Sequence, residues 1–399
     1  MGDETANNHY FRRLVRSEVL SLEEYSAGPA SDSEGAVRIS ANENGFGPAP
    51  AVRDAVMSYI NAGPGLYRYP NSSCGVLRDE LSGKHGLPPE WFLVGNGLDD
   101  VISIIGMTFL DPGDEVLLPA LSFVMYESAV RLPGANPVMI PMKPDMSIDV
   151  AAMASSVTSA TKMIILCSPN NPTGTIVRTG EFVNLLDVLS SMPAQPLVVI
   201  DQAYAEFVDS GEDYPDVIGG IGDHNNIIVL RTFSKMSALA GLRIGYAIAH
   251  PTLLSYMYRV RHPYSVNTLA QVAALADIRE ESAAQHRLAA KRSIAASRER
   301  LEKFFEEEGV SFVRSYANFV FALYDLEVED LANISAEMAS EGIFARTLRY
   351  NDSDAQKAGM RLSIGTDEEN ERLIKTLRTI LRRRREKISS ARGRQDTTS

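Results

Sequence analysis

IIVLRTFSKMSALAGLRIGY, residues 227–246, opens as a strand and ends as something else. Four aliphatic residues in succession, Ile227 to Leu230, suit a strand buried on both faces, as in the middle of a parallel sheet. The run stops on Arg231-Thr232-Phe233-Ser234-Lys235, and Arg243 follows eight residues further on. Open α/β sheets bind ligands beyond the carboxyl ends of their strands, so a lysine left at such an end marks a candidate site.

The pattern continues outward. WFLVGNG (91–97), EVLLPA (115–120), PVMIPM (137–142), KMIILCSPN (162–170), PLVVIDQ (196–202) and RIGYAIA (243–249) are short apolar runs separated by helical patterns. Residues 51–265 therefore read as a large α/β domain, a mostly parallel sheet covered by helices on both faces. A long Ala- and Arg-rich helical stretch follows to Gly309. After it come SFVRSYANFVFALY (311–324) as a strand, DLANISAEMASEG (330–342) as a helix, MRLSIG (360–365) as a strand and NERLIKTLRTILRRRR (370–385) as the last helix. These make a smaller α/β domain over 266–386. Residues 1–50 read as an N-terminal arm and a segment joining the small domain, and 387–399 as a disordered tail.

Composition narrows the function. The 399 residues carry 45% hydrophobic and 23% charged side chains, ordinary for a chain with a large core. A net charge of −12 excludes a general nucleic-acid binder, and no apolar stretch is long enough to span a bilayer. Arg382 to Arg385 read as the basic end of the last helix, favourable at its negative dipole end. Only Cys74 and Cys167 are present, which gives no disulfide framework and suits the cytoplasm. The six histidines show neither HExxH spacing nor pairing with cysteine, so no metal site is expected. A DNA-binding regulator would need a fused domain for which the short N-terminal arm has no room.

Three strand ends carry polar groups together. KMIILC runs into Ser168-Pro169-Asn170-Asn171-Pro172-Thr173-Gly174, PLVVI into Asp201-Gln202-Ala203-Tyr204, and IIVL into the lysine segment. Singly, an aspartate there is a helix cap and Asn-Asn-Pro a turn; three such ends in one sheet converge. A fourth element, Gly95-Asn96-Gly97-Leu98-Asp99-Asp100, passes from strand to helix and offers free N–H groups to a phosphate. It lacks the third glycine of a dinucleotide fingerprint, and no Walker A sequence occurs. A lysine to carry an aldehyde as a Schiff base, an aspartate to keep a pyridine nitrogen protonated, an Asn and a Tyr for a ring hydroxyl, and a helix end with a hydroxyl and an arginine for one phosphate are the needs of pyridoxal 5'-phosphate.

NENGFGP (42–48), YRYP (67–70), GNGLDD (95–100), SPNNPTG (168–174), DQAYAEF (201–207), TFSK with LRIGY, RHPYSVN (261–267) and MRLSIGT (360–366) occur in the order of a known family. Over about residues 22–380 the chain resembles the fold-type I, class I/II pyridoxal-phosphate aminotransferases, most closely the histidinol-phosphate aminotransferase branch. The resemblance implies that Lys235 carries the cofactor and shuttles a proton, that Asp201 pairs with the pyridine nitrogen, and that Asn171 and Tyr204 contact the ring hydroxyl. It places Phe123 against the ring. Leu98, Asp99 and Asp100 at the helix end, Ser234 and Arg243 fall at the phosphate, with Tyr69 reaching it from the other subunit of a homodimer with shared active sites. Tyr25, Asn42, Arg346 and Arg361 match positions facing the substrate. The chain departs from the family where Gly45 replaces a proline and where Leu98-Asp99-Asp100 replaces Ser-Asp-Glu. The implied reaction is amino-acid biosynthesis by transamination, from histidinol phosphate or a related amino donor to 2-oxoglutarate. A decarboxylase, a β-eliminating enzyme or an aromatic amino acid enzyme of the same fold, in specialised metabolism, is the alternative.

Overall fold

Seven strands form the larger sheet: β2 Phe92–Gly95, β3 Glu115–Pro119, β4 Asn136–Ile140, β5 Thr161–Cys167, β6 Leu197–Asp201, β7 Ile227–Thr232 and β8 Gly245–Ala249. The computed structural model describes residues 11–22, 24, 35–62, 65–352 and 355–395. Strand order is β2-β8-β7-β6-β5-β3-β4. All neighbours are parallel except β8, which runs antiparallel to both β2 and β7. All seven strands fall on the apolar runs read from the sequence, with β4 and β5 each beginning one residue earlier.

The continuous apolar runs follow from burial on two faces. Ile227 and Val229 of β7 join one core cluster while Ile228 and Leu230 join another, and Val198 and Val199 of β6 divide likewise. Helices α1 Pro50–Ala62, α2 Gly75–His85, α5 Val150–Ser155, α6 Thr179–Ser190 and α8 Thr268–Arg279 supply the first face. Helices α3 Leu98–Phe109, α4 Met125–Arg131 and α7 Pro251–Val260 supply the second.

A second sheet of five strands has the order β1-β11-β12-β10-β9. It comprises β1 Val37–Ile39, β9 Phe312–Val313, β10 Phe319–Ala322, β11 Ile343–Asp352 and β12 Ala355–Ser363. Helices α9 Glu281–Glu308, α10 Val328–Ser340 and α11 Asp367–Gln395 pack on it. The stretch 311–324, read as one strand, is two: the chain leaves the sheet after Val313, Tyr316 N–H bonds Gly174 O at 2.8 Å, and β10 returns antiparallel. The tail beyond 386 is helical backbone through Gln395, with no proline and no glycine before Gly393 to stop it; residues 396–399 lie outside the described residues. Among the described residues no helix is long and apolar enough to cross a membrane.

Candidate active site

Parallel pairing brings the strand ends to one edge. Cys167, the last residue of β5, pairs with Asp201, the last of β6, and Asp201 pairs with Leu230 of β7. Asn171, Asp201 and Lys235 consequently line one cavity of ≈ 360 Å³, together with Asn42, Leu98, Asp99, Phe123, Tyr204, Ser234, Arg243 and Arg361. The turn after β5 is held by Asn170, fully buried, whose Nδ2 donates to Leu121 O and Thr173 Oγ1, both at 2.9 Å. That anchoring leaves Asn171 to face the cavity.

Lys235 Nζ donates to Ala41 O at 3.0 Å and sits 5.6 Å from the centre of the Tyr204 ring. Burial, then the charge of Arg361, lowers its pKa to about 8. Asp201 is 4% exposed; its Oδ1 accepts the Ala203 N–H at 2.9 Å and its Oδ2 the Tyr126 hydroxyl at 2.7 Å. Burial raises its pKa to about 6, and those two bonds hold it from rising further. Both partners of the carboxylate are neutral donors, so the buried anion lacks a hydrogen-bonded cation among the described residues. A protonated ring nitrogen bound in the cavity would supply one.

Residues on and beside the five-stranded sheet complete the wall. Asn42 lies in the left-handed region (φ 54°), its N–H on Ser363 Oγ and its Oδ1 accepting from the same hydroxyl, both at 2.9 Å. Its Nδ2 is thereby turned to the Tyr204 hydroxyl at 3.0 Å; burial pushes that phenol's pKa up, so it stays protonated. Arg361 on β12 donates from Nη1 to Asn171 Oδ1 at 2.7 Å and from Nη2 to Ser40 O. With Oδ1 taken, Asn171 presents its Nδ2 donors.

The amino end of α3 and Arg243 border another side of the cavity. Gly97 has φ +84°, which favours glycine, and a Cβ there would lie 2.8 Å from Arg243 Nη2 and push that guanidinium aside. Arg243 Nη2 meets Asp99 Oδ2 at 3.1 Å. Leu98 turns its side chain onto β8, 3.0 Å from where a Gly245 Cβ would be, so only its backbone N–H is offered. Asp100 does not line the cavity; its Oδ2 accepts the Asn96 N–H at 2.8 Å and stiffens the turn. At Gly45 a Cβ would fit tightly, 3.2 Å from Glu369 Oε2 and 3.3 Å from Thr366 N.

A second chamber of ≈ 420 Å³ shares Phe123, Tyr126, Asn171 and Arg361 with the first and adds Arg346, Arg349, Met139 and Tyr350. Arg346 and Arg361 are direct partners across β11 and β12, so their side chains leave the same face. Arg346 nevertheless borders only this outer chamber. Tyr69 lies outside both, 81% exposed and stacked on Tyr264 at 4.7 Å. Tyr25 lies outside the described residues. Tyr126 was not singled out in the sequence; it stands three residues after Phe123, whose carbonyl accepts its N–H at 3.1 Å, and the two rings lie 5.6 Å apart.

A mostly parallel sheet whose carboxyl edge gathers a lysine, a buried aspartate and a glycine-led helix end defines the fold-type I class of pyridoxal-phosphate transferases. A family model described as "Aminotransferase class I and II" matches residues 34–377. The chain is 34% identical to the histidinol-phosphate aminotransferase of Moorella thermoacetica, over 92% of each protein. It is 38% identical to the aromatic amino acid aminotransferase of Cutibacterium acnes, over 91% of this chain and 97% of that one. The crystal structure of histidinol-phosphate aminotransferase from Sinorhizobium meliloti in complex with pyridoxal-5'-phosphate shares the fold, with TM-score 0.80 at 24% identity over 92% of this chain and 97% of that one. The chain belongs to the class I and II aminotransferase family, and its cofactor is pyridoxal 5'-phosphate.

Proposed function

We propose that the chain transfers an amino group from histidinol phosphate, or a close donor bearing an anion, to 2-oxoglutarate. The observation that carries this is the convergence of Lys235, Asp201, Asn171 and Arg361 in one cavity beside a second chamber bordered by Arg346 and Arg349. The bound cofactor supplies an electron sink that makes the donor's α-hydrogen acidic. Lys235 Nζ, with its pKa lowered to about 8, is close enough to neutral to hold the cofactor and to move that proton. Asp201 keeps a negative charge at the ring nitrogen's position. Asn171 and Tyr204 give neutral hydrogen-bonding groups to the ring hydroxyl. The α3 amino end, Ser234 and Arg243 hold the phosphate. Arg361, with Arg346, binds the anion of each substrate in turn; a guanidinium suits carboxylate and phosphate alike.

An aromatic amino donor is the second reading. Phe123, Met139, Leu121 and Tyr350 give the outer chamber an apolar wall, and relatives bearing that name match about as well. We also propose a homodimer: Tyr69 is exposed on a stretch with Leu66 and Tyr67, both exposed, the kind of apolar patch that interfaces cover. A cytoplasmic setting agrees with Cys74 and Cys167, buried and unpaired. Single-turnover reactions with histidinol phosphate, phenylalanine and glutamate test the donor. Conversion of the cofactor to its amino form by histidinol phosphate and glutamate is expected. Conversion by phenylalanine and glutamate without histidinol phosphate would select the second reading.

A further inference from the structure

We infer that Tyr126 is a positioning residue for the cofactor ring, its hydroxyl fixing the Asp201 carboxylate as an anion aimed into the cavity. The inference rests on reading Asp201 as the partner of the ring nitrogen. Tyr126 lies near the start of α4 and is 1% exposed, and its O–H donates to Asp201 Oδ2 at 2.7 Å. The Ala203 N–H holds the other oxygen. With one donor on each oxygen the carboxylate cannot turn, and both residues border the cavity.

The direction of the bond is settled by chemistry. Burial, then the charge of Asp201, holds the Tyr126 phenol well above its usual range, so it remains a donor. Cys167, paired with Asp201 across the strands, is likewise held neutral by burial and adds no rival charge. Burial alone favours the protonated carboxyl. Tyr126 is foremost among the groups that oppose this. Its ring packs edge-on against Phe123 at 5.6 Å, so a change to phenylalanine deletes the hydroxyl and leaves that contact.

The test is binding of pyridoxal phosphate to the cofactor-free protein across pH, for wild type, Tyr126→Phe, Asp201→Asn and the double variant. Tyr126→Phe should weaken binding roughly 10-fold near neutral pH, at the low end for a hydrogen bond to a charged group. It should also move the acidic limb of binding to higher pH. Asp201→Asn should weaken binding and remove that limb, and Tyr126→Phe should then add nothing. A second readout is the Asp201 carboxyl titration in cofactor-free protein, followed by infrared difference against Asp201→Asn. Tyr126→Phe should raise its midpoint, and site-specific fluorotyrosine, a stronger donor, should lower it. An unmoved midpoint, or the same loss of affinity in the Asp201→Asn background, overturns the inference. If Asp201→Asn itself leaves affinity and its pH dependence intact, the reading of Asp201 fails; the carboxyl titration still decides whether Tyr126 governs that carboxylate.

Discussion

Asp201→Asn should make the cofactor-free protein more stable while impairing its work. The folded-state pKa of Asp201 is raised from 3.8 to about 6, chiefly by burial. At about 1.36 kcal/mol per unit, that shift corresponds to about 3 kcal/mol of destabilisation by the ionised group. The sign follows from proton linkage. Below the unfolded value both states hold the proton and the group costs nothing. The cost accumulates as pH rises from 3.8 towards 6, where the unfolded chain has released the proton and the native one has not, and it is complete above the folded value. An asparagine keeps an acceptor for the Ala203 N–H and places an amide beside the Tyr126 hydroxyl without a charge. Urea unfolding of cofactor-free wild type and variant should therefore show the variant more stable by up to about 3 kcal/mol above pH 7, the difference shrinking towards pH 4. Saturating cofactor should reverse the order, because only wild type gains the ion pair. A difference that does not change with pH, or a variant less stable at neutral pH, would refute the reasoning.

Capture of pyridoxal phosphate by the cofactor-free protein should rise with pH through about 6 as Asp201 ionises, and again through about 8 as Lys235 Nζ loses its proton; stopped-flow absorbance across pH reads both limbs. Gly97→Ala should weaken cofactor binding by one or two orders of magnitude, since it places a Cβ 2.8 Å from Arg243 Nη2 and strains a residue at φ +84°, a cost of roughly 1–3 kcal/mol; equilibrium dialysis against pyridoxal phosphate checks it. Mixing Tyr69→Phe with Lys235→Ala protein should give hybrid dimers in which one site is fully native, recovering activity that neither parent shows; no recovery in verified hybrids would place Tyr69 outside the neighbouring site.

The large sheet was legible because its strands are buried on both faces, so the code is short apolar runs with polar ends. Asp201, Asn171 and Lys235 stood out for the same reason: each is where such a run stops. What could not be read was pairing between distant segments. Nothing local in MRLSIGT says that Arg361 reaches Asn171, or that Ser363 orients Asn42 towards Tyr204. The antiparallel sense of β8 is likewise decided by its place between β2 and β7. The split of 311–324 depends on a contact with Gly174, on the turn that follows β5. Tyr126 was not singled out, and its 2.7 Å bond to Asp201 is what sets it apart from the other buried side chains around it.

Lys235 is the residue proposed to carry the cofactor. Borohydride reduction of the enzyme loaded with pyridoxal phosphate, followed by peptide mass mapping, tests it directly. The cofactor should be found on the peptide containing Lys235, and reduction of Lys235→Ala should leave no stoichiometric label elsewhere. A full label on another lysine, or undiminished labelling of Lys235→Ala, would contradict the assignment.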